Sequence, residues 1–254
     1  MQEKISGAVL WRGPSAIDSK PIVLIVTGLN KGSKNSKTGK MLQTFVLRED
    51  VHPWEAVQTG QDKSICGTCE HRGVVVNENG ESVNKKRSCY VVVGQAPSVV
   101  WKAYHRGIYP ERLKDAGASL LAGHSIRVGS YGDPGAVPFR VWEKLLKYAA
   151  NNTGYTQRWK KIAKGFSKFL MASANSEKSA KEAQALGYRT FRVSGSPESI
   201  AKPEVMCPAS AERGKVTTCS ECLACGGLQA KAKANIAIVI HGGKSKKLSY
   251  QARA

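Results

Sequence analysis

Ser125-Ile126-Arg127-Val128-Gly129-Ser130-Tyr131-Gly132-Asp133-Pro134, with Pro138-Phe139-Arg140-Val141-Trp142-Glu143-Lys144-Leu145-Leu146 close behind, is the stretch on which the fold turns. Residues 125–129 are a β-prone run that ends in a polar turn. Pro138 then opens a helix whose Trp142, Leu145, Leu146 and Ala149 fall on one stripe. The pattern continues downstream. Strands are expected at 154–159, 168–175, 188–193 and 235–240. Ser176 is placed to cap a helix, Glu177 favours its N-terminus and Gly187 stops it. Upstream, 97–106 fits a helix with Pro97 in its first turn and Gly107 beyond its end, and 5–11, 22–27 and 42–47 are β-rich. Such alternation predicts an α/β fold: a partial (βα)-barrel or open, mostly parallel sheet of five to six strands. The expected organisation is a small β-rich N-terminal part (1–41), an α/β domain (42–243) and a basic tail (244–254) that frays.

Right-handed crossovers would bring the strand C-termini to one rim, where α/β folds place their chemistry. That rim would collect Ser130, Tyr131 and Asp133, then Ser173, Asn175 and Ser176, then Ser194, and finally His241. Helix capping and turn formation also account for Ser176 and for Asp133 before Pro134.

The chain has 254 residues, 41% of them hydrophobic, enough to bury a core without covalent staples. Seven cysteines is an odd number, and five of them fall in Cys-x-x-Cys spacings. This favours metal ligation in a reducing, cytoplasmic setting over a secreted disulfide framework. No signal peptide and no apolar run of membrane-spanning length is present, so no membrane partner is expected.

Cys207-Pro208 and the run Cys219-x-x-Cys222-x-x-Cys225 resemble the way ferredoxins hold a [4Fe–4S] cluster. A four-cysteine zinc site is the alternative, though it more often uses two separated pairs. Cys66, Cys69 and Cys89 form a second group in the long irregular stretch 50–88. With His71 they make a closed zinc site; alone they hold a cluster with one open iron.

Lys and Arg number 39 against 19 acidic residues, a formal charge of +20 that favours a polyanion partner, most often DNA or RNA. Lys31, Lys34, Lys37 and Lys40 stud a loop read as mobile. Arg158, Trp159, Lys160, Lys161 and Lys164 interleave charge with an aromatic ring that could stack on bases, as could Phe166; Lys168, Lys246 and Lys247 add to the basic set. A solvated hairpin tip and a plain basic surface explain the same lysines.

The runs Gln43-Thr44-Phe45-Val46-Leu47-Arg48, Ile65-Cys66-Gly67-x-Cys69, Cys89-Tyr90-Val91, the turn 129–134 and Cys207-Pro208-Ala209 together resemble an uncharacterised family of phage and prophage cysteine-rich proteins. The order of strand, cysteine loop, helix, strand and Gly132-Asp133-Pro134 is more distantly similar to the radical S-adenosylmethionine partial-barrel enzymes. That likeness implies S-adenosylmethionine as a cofactor, held by Gly132, Asp133, Ser173, Asn175 and Ser194. Asp133, Ser130 and Tyr131 would then be the catalytic residues, and the charge of +20 suggests a nucleic acid or nucleotide as the substrate. The spacing departs from that family, since Cys89 lies twenty positions beyond Cys69. The other reading is a non-catalytic nucleic-acid-binding protein whose metal sites are structural.

Overall fold

The computed structural model describes residues 5–33, 35–76, 79, 81–84, 86–200 and 202–251. Antiparallel strands β1 (Gly7–Pro14) and β2 (Pro21–Thr27) lead into β3 (Leu42–Arg48). The following segment carries two short helices, α1 (Pro53–Thr59) and α2 (Lys63–Cys66), and the hairpin β4 (Val74–Val76) and β5 (Ser82–Asn84). Helices α3 (Ala96–His105) and α4 (Asp115–Leu121) precede β6 (Ser125–Tyr131), α5 (Phe139–Leu146), β7 (Asn151–Thr156) and β8 (Met171–Ala174). Then come α6 (Glu177–Ala185), β9 (Thr190–Ser194), β10 (Glu204–Met206), α7 (Cys219–Cys222), β11 (Asn235–Val239) and α8 (Lys244–Gln251).

Nine strands form one sheet in the order β1-β2-β3-β6-β7-β8-β9-β11-β10. Every pairing from β3 to β10 is parallel. The α/β alternation therefore yields a mostly parallel sheet. Its parallel set has seven strands, one more than the upper expectation, because the three-residue β10 is too short to leave a pattern in the sequence. The N-terminal hairpin continues this sheet through β2 and β3.

In-register neighbours share a face of the sheet. Gln43, Arg127 and Thr153 are matched across β3, β6 and β7; Tyr155 faces Met171, Ser173 faces Phe191, and Phe191 faces Ile236. These residues line one face. The alternate residues, Ile126 and Val128, pack with fully buried Trp142 and with Leu145 of α5. The Trp142 indole donates to the Pro134 carbonyl (2.9 Å), which fixes α5 to the turn after β6. Ala172 packs with Ala183 of α6, Trp159 and Tyr188. The Ser176 hydroxyl accepts from the Ser179 amide (3.1 Å), the N-cap that its sequence position called for. Helices thus cover one face, and the other is left for the cysteine-bearing segments.

Two expectations are corrected. Residues 151–156, not 154–159, form β7, because 157–168 turns away from the sheet and includes a 3-10 turn at Lys164–Lys168. The basic tail does not fray over its described part: Lys244–Gln251 is helical, and Tyr250 is buried against His71 (ring centroids 4.9 Å, 8° between planes).

Candidate functional site

The four late cysteines come together. Cys207, Cys219, Cys222 and Cys225 all line one recess on the open face of the sheet, floored by Thr153, Tyr155, Phe191 and Ile236. Each arm is anchored by backbone bonds. The Cys207 amide donates to the Ala237 carbonyl (2.7 Å), and the Cys225 carbonyl accepts from the Gly154 amide (3.0 Å). Cys219 and Cys222 sit one turn apart on α7, a spacing that puts both thiols on one side. Thr218 and Glu221 cap that turn reciprocally. Leu223 then adopts a left-handed φ of 52°, which reverses the chain and returns Cys225 to the recess. Gly227 completes the exit: at φ +64° its Cβ would lie 2.6 Å from the Ser167 carbonyl oxygen.

The basic loop after β2 is docked here. The Lys37 carbonyl accepts from the Cys219 amide (2.9 Å) and the Thr38 carbonyl from the Ser220 amide (3.2 Å). Lys37 lines the recess, so it is not a lysine of a free hairpin tip. Lys31 and Lys40 stay exposed, and Lys34 lies outside the described residues. Gln43 donates to Thr38 Oγ1 (3.2 Å) and accepts from Ser130 Oγ (2.7 Å). Ser130 is therefore tied into the support of this loop.

Burial raises the Cys207 thiol and pushes Cys225 up to about 12. Against this, the Lys37 ammonium favours ionised Cys207, and Tyr155 and Arg127 favour ionised Cys225. All seven cysteines are free thiols, so neither group is a disulfide set.

The early cysteines form a second neighbourhood. Cys66 ends α2, and the amide of Cys69 donates to its carbonyl (3.2 Å). The Cys89 amide donates to the His71 carbonyl (3.1 Å), which returns the far arm of the loop to the first. The three sulfurs act on one another electrostatically, and burial raises Cys66 well above the usual thiol range and Cys69 to about 12. A buried Arg72–Asp62 pair (2.6 Å) staples the loop, with Arg72 also donating to the Gly67 carbonyl (3.1 Å). The Asp133 amide donates to the Ile65 carbonyl (2.6 Å), so the turn after β6 touches the residue before Cys66. The Tyr131 hydroxyl, at a residue only 3% exposed, has no hydrogen-bond partner among the described residues; Cys66 and Cys89 are among the groups that act on it electrostatically.

His71 is hydrogen-bonded at both ring nitrogens. Its Nδ1 is bonded to Ser88 Oγ (2.8 Å) and its Nε2 to Asn175 Oδ1 (2.9 Å), so both ring nitrogens are committed. Through Asn175 it joins a chain along the rim. Gln157 Nε2 donates to Ser173 Oγ (3.0 Å) and to Asn175 Oδ1 (3.2 Å), while the Gln157 amide donates to Asp133 (2.8 Å). Glu70 accepts from Asn175 Nδ2. Ser173, Asn175 and Asp133 are thus brought together as the rim reading expects. Gln157, Glu70 and His71 complete the set; the three-residue error in placing β7 hid Gln157 inside a strand.

Asp133 is buried, and its carboxylate accepts from the Gly135 amide, Thr156 Oγ1 (both 2.8 Å) and the Gln157 amide. Burial raises its pKa, and these donors oppose the rise. It holds the turn in shape. Gly132, at φ +75°, would place a Cβ 2.5 Å from the Val46 carbonyl oxygen. Ser194 is taken up by the loop that follows β9: its hydroxyl donates to the Ser196 carbonyl (2.9 Å).

The basic run 158–168 is also corrected. Trp159 and Phe166 are buried, Trp159 donating to the Ser173 carbonyl (3.2 Å) and Phe166 packing on Phe139 and Phe169, so neither ring can stack on a base. Arg158 donates to the Gly135 carbonyl (2.7 Å), and Lys160 pairs with Glu182 (2.5 Å). Lys161 and Lys164 are exposed.

Among the described residues, no three His, Cys, Asp or Glu side chains are gathered closely enough to hold a single metal ion, and no helix is long and apolar enough to cross a membrane. No protein-family model, curated protein or solved structure matches the chain.

Proposed function

We propose that the chain is a two-centre iron–sulfur protein: an electron-transfer cluster at Cys207, Cys219, Cys222 and Cys225, and a second cluster with an open position at Cys66, Cys69 and Cys89. The observation that carries this reading is the convergence of all four late cysteines, from three backbone-anchored arms, on one recess. Zinc would need its sulfurs drawn within roughly 4 Å of one another. Four thiols lining one recess suit a cluster, where each thiolate bonds a different iron. At the early group, the commitment of both His71 nitrogens favours three thiol ligands over a closed zinc site. The orphaned Tyr131 hydroxyl is a donor such a group would satisfy.

An iron–sulfur cluster supplies one-electron transfer, and an open iron adds a place for a cofactor's amine and carboxylate. The chain's own part is the rim. Gln157, Ser173 and Asn175 form a hydrogen-bonded polar cluster on that rim, with Asp133 holding Gln157 in place, and we assign the cofactor to this cluster. We read this rim as the cofactor side of a radical S-adenosylmethionine-like enzyme, with the sheet curled as a partial barrel around its cysteine-covered face; the separation of Cys89 from Cys69 departs from that family's spacing. Seven free thiols suit a reducing, cytoplasmic setting. The exposed Lys31, Lys40, Lys161 and Lys164 are the lysines we assign to a nucleic-acid substrate, in keeping with the charge of +20.

Anaerobic purification followed by iron, sulfide and zinc analysis tests this. Wild type should be brown, with iron and sulfide lost in separate portions from a Cys66→Ala/Cys69→Ala variant and a Cys219→Ala/Cys222→Ala variant. Colourless protein with stoichiometric zinc would support the non-catalytic binder, and protein with neither metal would sink both readings.

A further inference from the structure

Five arginines are buried among the described residues: Arg48, Arg72, Arg127, Arg189 and Arg192. Three pair with carboxylates, and a fourth, Arg189, has backbone carbonyls although its Nε is unpaired among the described residues. Arg48 pairs with Asp50 (2.9 Å), Arg72 with Asp62 (2.6 Å) and Arg192 with Glu204 (2.5 Å). Arg189 donates to the carbonyls of Ala224 and Gly227 (both 2.9 Å) and Ala234. Arg127 is the exception. It is 8% exposed, has no carboxylate partner among the described residues, and lies over the Tyr155 ring, 4.3 Å from its centroid. Tyr155 forms part of the floor of the recess that Cys219 and Cys225 line. A cation stacked on an aromatic face is stabilised, but the ring does not neutralise it.

We propose that Arg127 is the built-in counter-ion of the late cysteine centre, a role that rests on the metal reading above. Four thiolates around a doubly charged core leave a net charge of about two negative. Lys37, which lines the recess, and Arg127, against Tyr155 on the same face of the sheet, carry the opposite charges. With neutral thiols Arg127 has, among the described residues, only the Tyr155 side chain for a partner, through its ring and a hydrogen bond, so the metal-free protein holds a buried cation with no anion beside it. Loading the recess supplies the missing anion. The position of Arg127 on β6, in register with Gln43 and Thr153, puts that charge on the cysteine-covered face of the sheet.

The test compares wild type with Arg127→Met, Arg127→Gln and Arg127→Lys. Each is reconstituted anaerobically with ferrous iron and sulfide, and separately with zinc. Release of the late-site metal to a chelator is followed, and thermal midpoints are recorded with and without metal. Arg127→Met and Arg127→Gln should release that metal at least tenfold faster than wild type, with metal-free forms that melt no lower than metal-free wild type. Arg127→Lys should restore slow release. A merely structural arginine would lower both melting points together and leave release unchanged, which overturns the proposal. If Arg127→Met does not fold, the Gln and Lys pair gives the same decision. Wild type whose metal content is unaffected by Cys219→Ala/Cys225→Ala would refute the metal reading, and this role with it. Wild type that loads normally while Arg127→Met releases normally would refute only the role of Arg127.

Discussion

His71 and Asn175 are 104 residues apart in the chain, and Nε2 of one lies 2.9 Å from Oδ1 of the other. The bond joins the early cysteine loop to the end of β8. Tyr250 of α8 stacks on the same imidazole, so three distant segments meet at one ring. A histidine used this way is a structural post beside the three thiols.

His71→Ala should therefore weaken the fold without removing a ligand. Two side-chain hydrogen bonds and a ring stack together contribute about 2–4 kcal/mol. Urea denaturation should show a loss in that range, while the metal content we propose for Cys66, Cys69 and Cys89 stays within error of wild type. Loss of that metal with little change in stability would mean that His71 is a ligand after all.

The turn after β6 makes a second prediction. Asp133→Ala leaves the Gly135 and Gln157 amides and Thr156 Oγ1 without their acceptor. At about 1–3 kcal/mol for each buried unsatisfied group, a loss of about 3–5 kcal/mol is expected. Asp133→Asn, which keeps one acceptor oxygen, should lose less. Equal stability of Asp133→Ala and wild type in chemical denaturation would show that the carboxylate is free for other work.

Much of the fold was legible in the sequence where a local rule and the tertiary context agree. Ser176 caps α6 because a serine before an acidic residue and an apolar stripe has few better uses. Trp142 and Leu145 read as one stripe and pack as one. The Cys-x-x-Cys-x-x-Cys run read as convergent because a helical turn sets the separation of Cys219 and Cys222. Trp159 misled because an aromatic among lysines has the same spelling whether it faces solvent or core; only packing against Ala172 and Ala183 decides. The docking of Lys37 and Thr38 on α7 was invisible, since backbone carbonyls carry no side-chain signature and their partners lie some 180 residues later. Arg127 was read as an ordinary strand residue, because a missing partner cannot be seen until all the neighbours are placed.

The docked loop predicts a change in thiol accessibility. Gly39 has φ +65°, and a Cβ there would lie 2.2 Å from Ser220 Oγ and 3.0 Å from Thr218 Oγ1. The serine can rotate away, but the left-handed backbone still costs an L residue about 1 kcal/mol. Gly39→Ala should loosen the seam at Cys219 and Ser220. Alkylation of the metal-free protein, read by peptide mass spectrometry, should then be faster at Cys219 and Cys222 and unchanged at Cys66. Equal rates at all three in mutant and wild type would show that the loop does not guard the recess.

The basic surface separates two substitutions that the sequence alone treats alike. Trp159 is buried, and its truncation should cost about 3–5 kcal/mol of stability. Any loss of nucleic-acid binding in Trp159→Ala should therefore follow the loss of folded protein. Lys161 and Lys164 are exposed and form no ion pair among the described residues, so Lys161→Glu/Lys164→Glu should fold as wild type does. Lys160 is the poorer choice for reversal, since it already pairs with Glu182. If these lysines meet phosphates, the double reversal should weaken binding to single-stranded DNA or RNA. It should also flatten the slope of log affinity against log salt by roughly 0.7 for each phosphate no longer neutralised. Fluorescence anisotropy over a salt series reads both quantities. An unchanged slope with the same affinity would place any nucleic-acid interaction elsewhere on the surface, and no binding by wild type at low salt would leave the charge of +20 as a property of the surface alone.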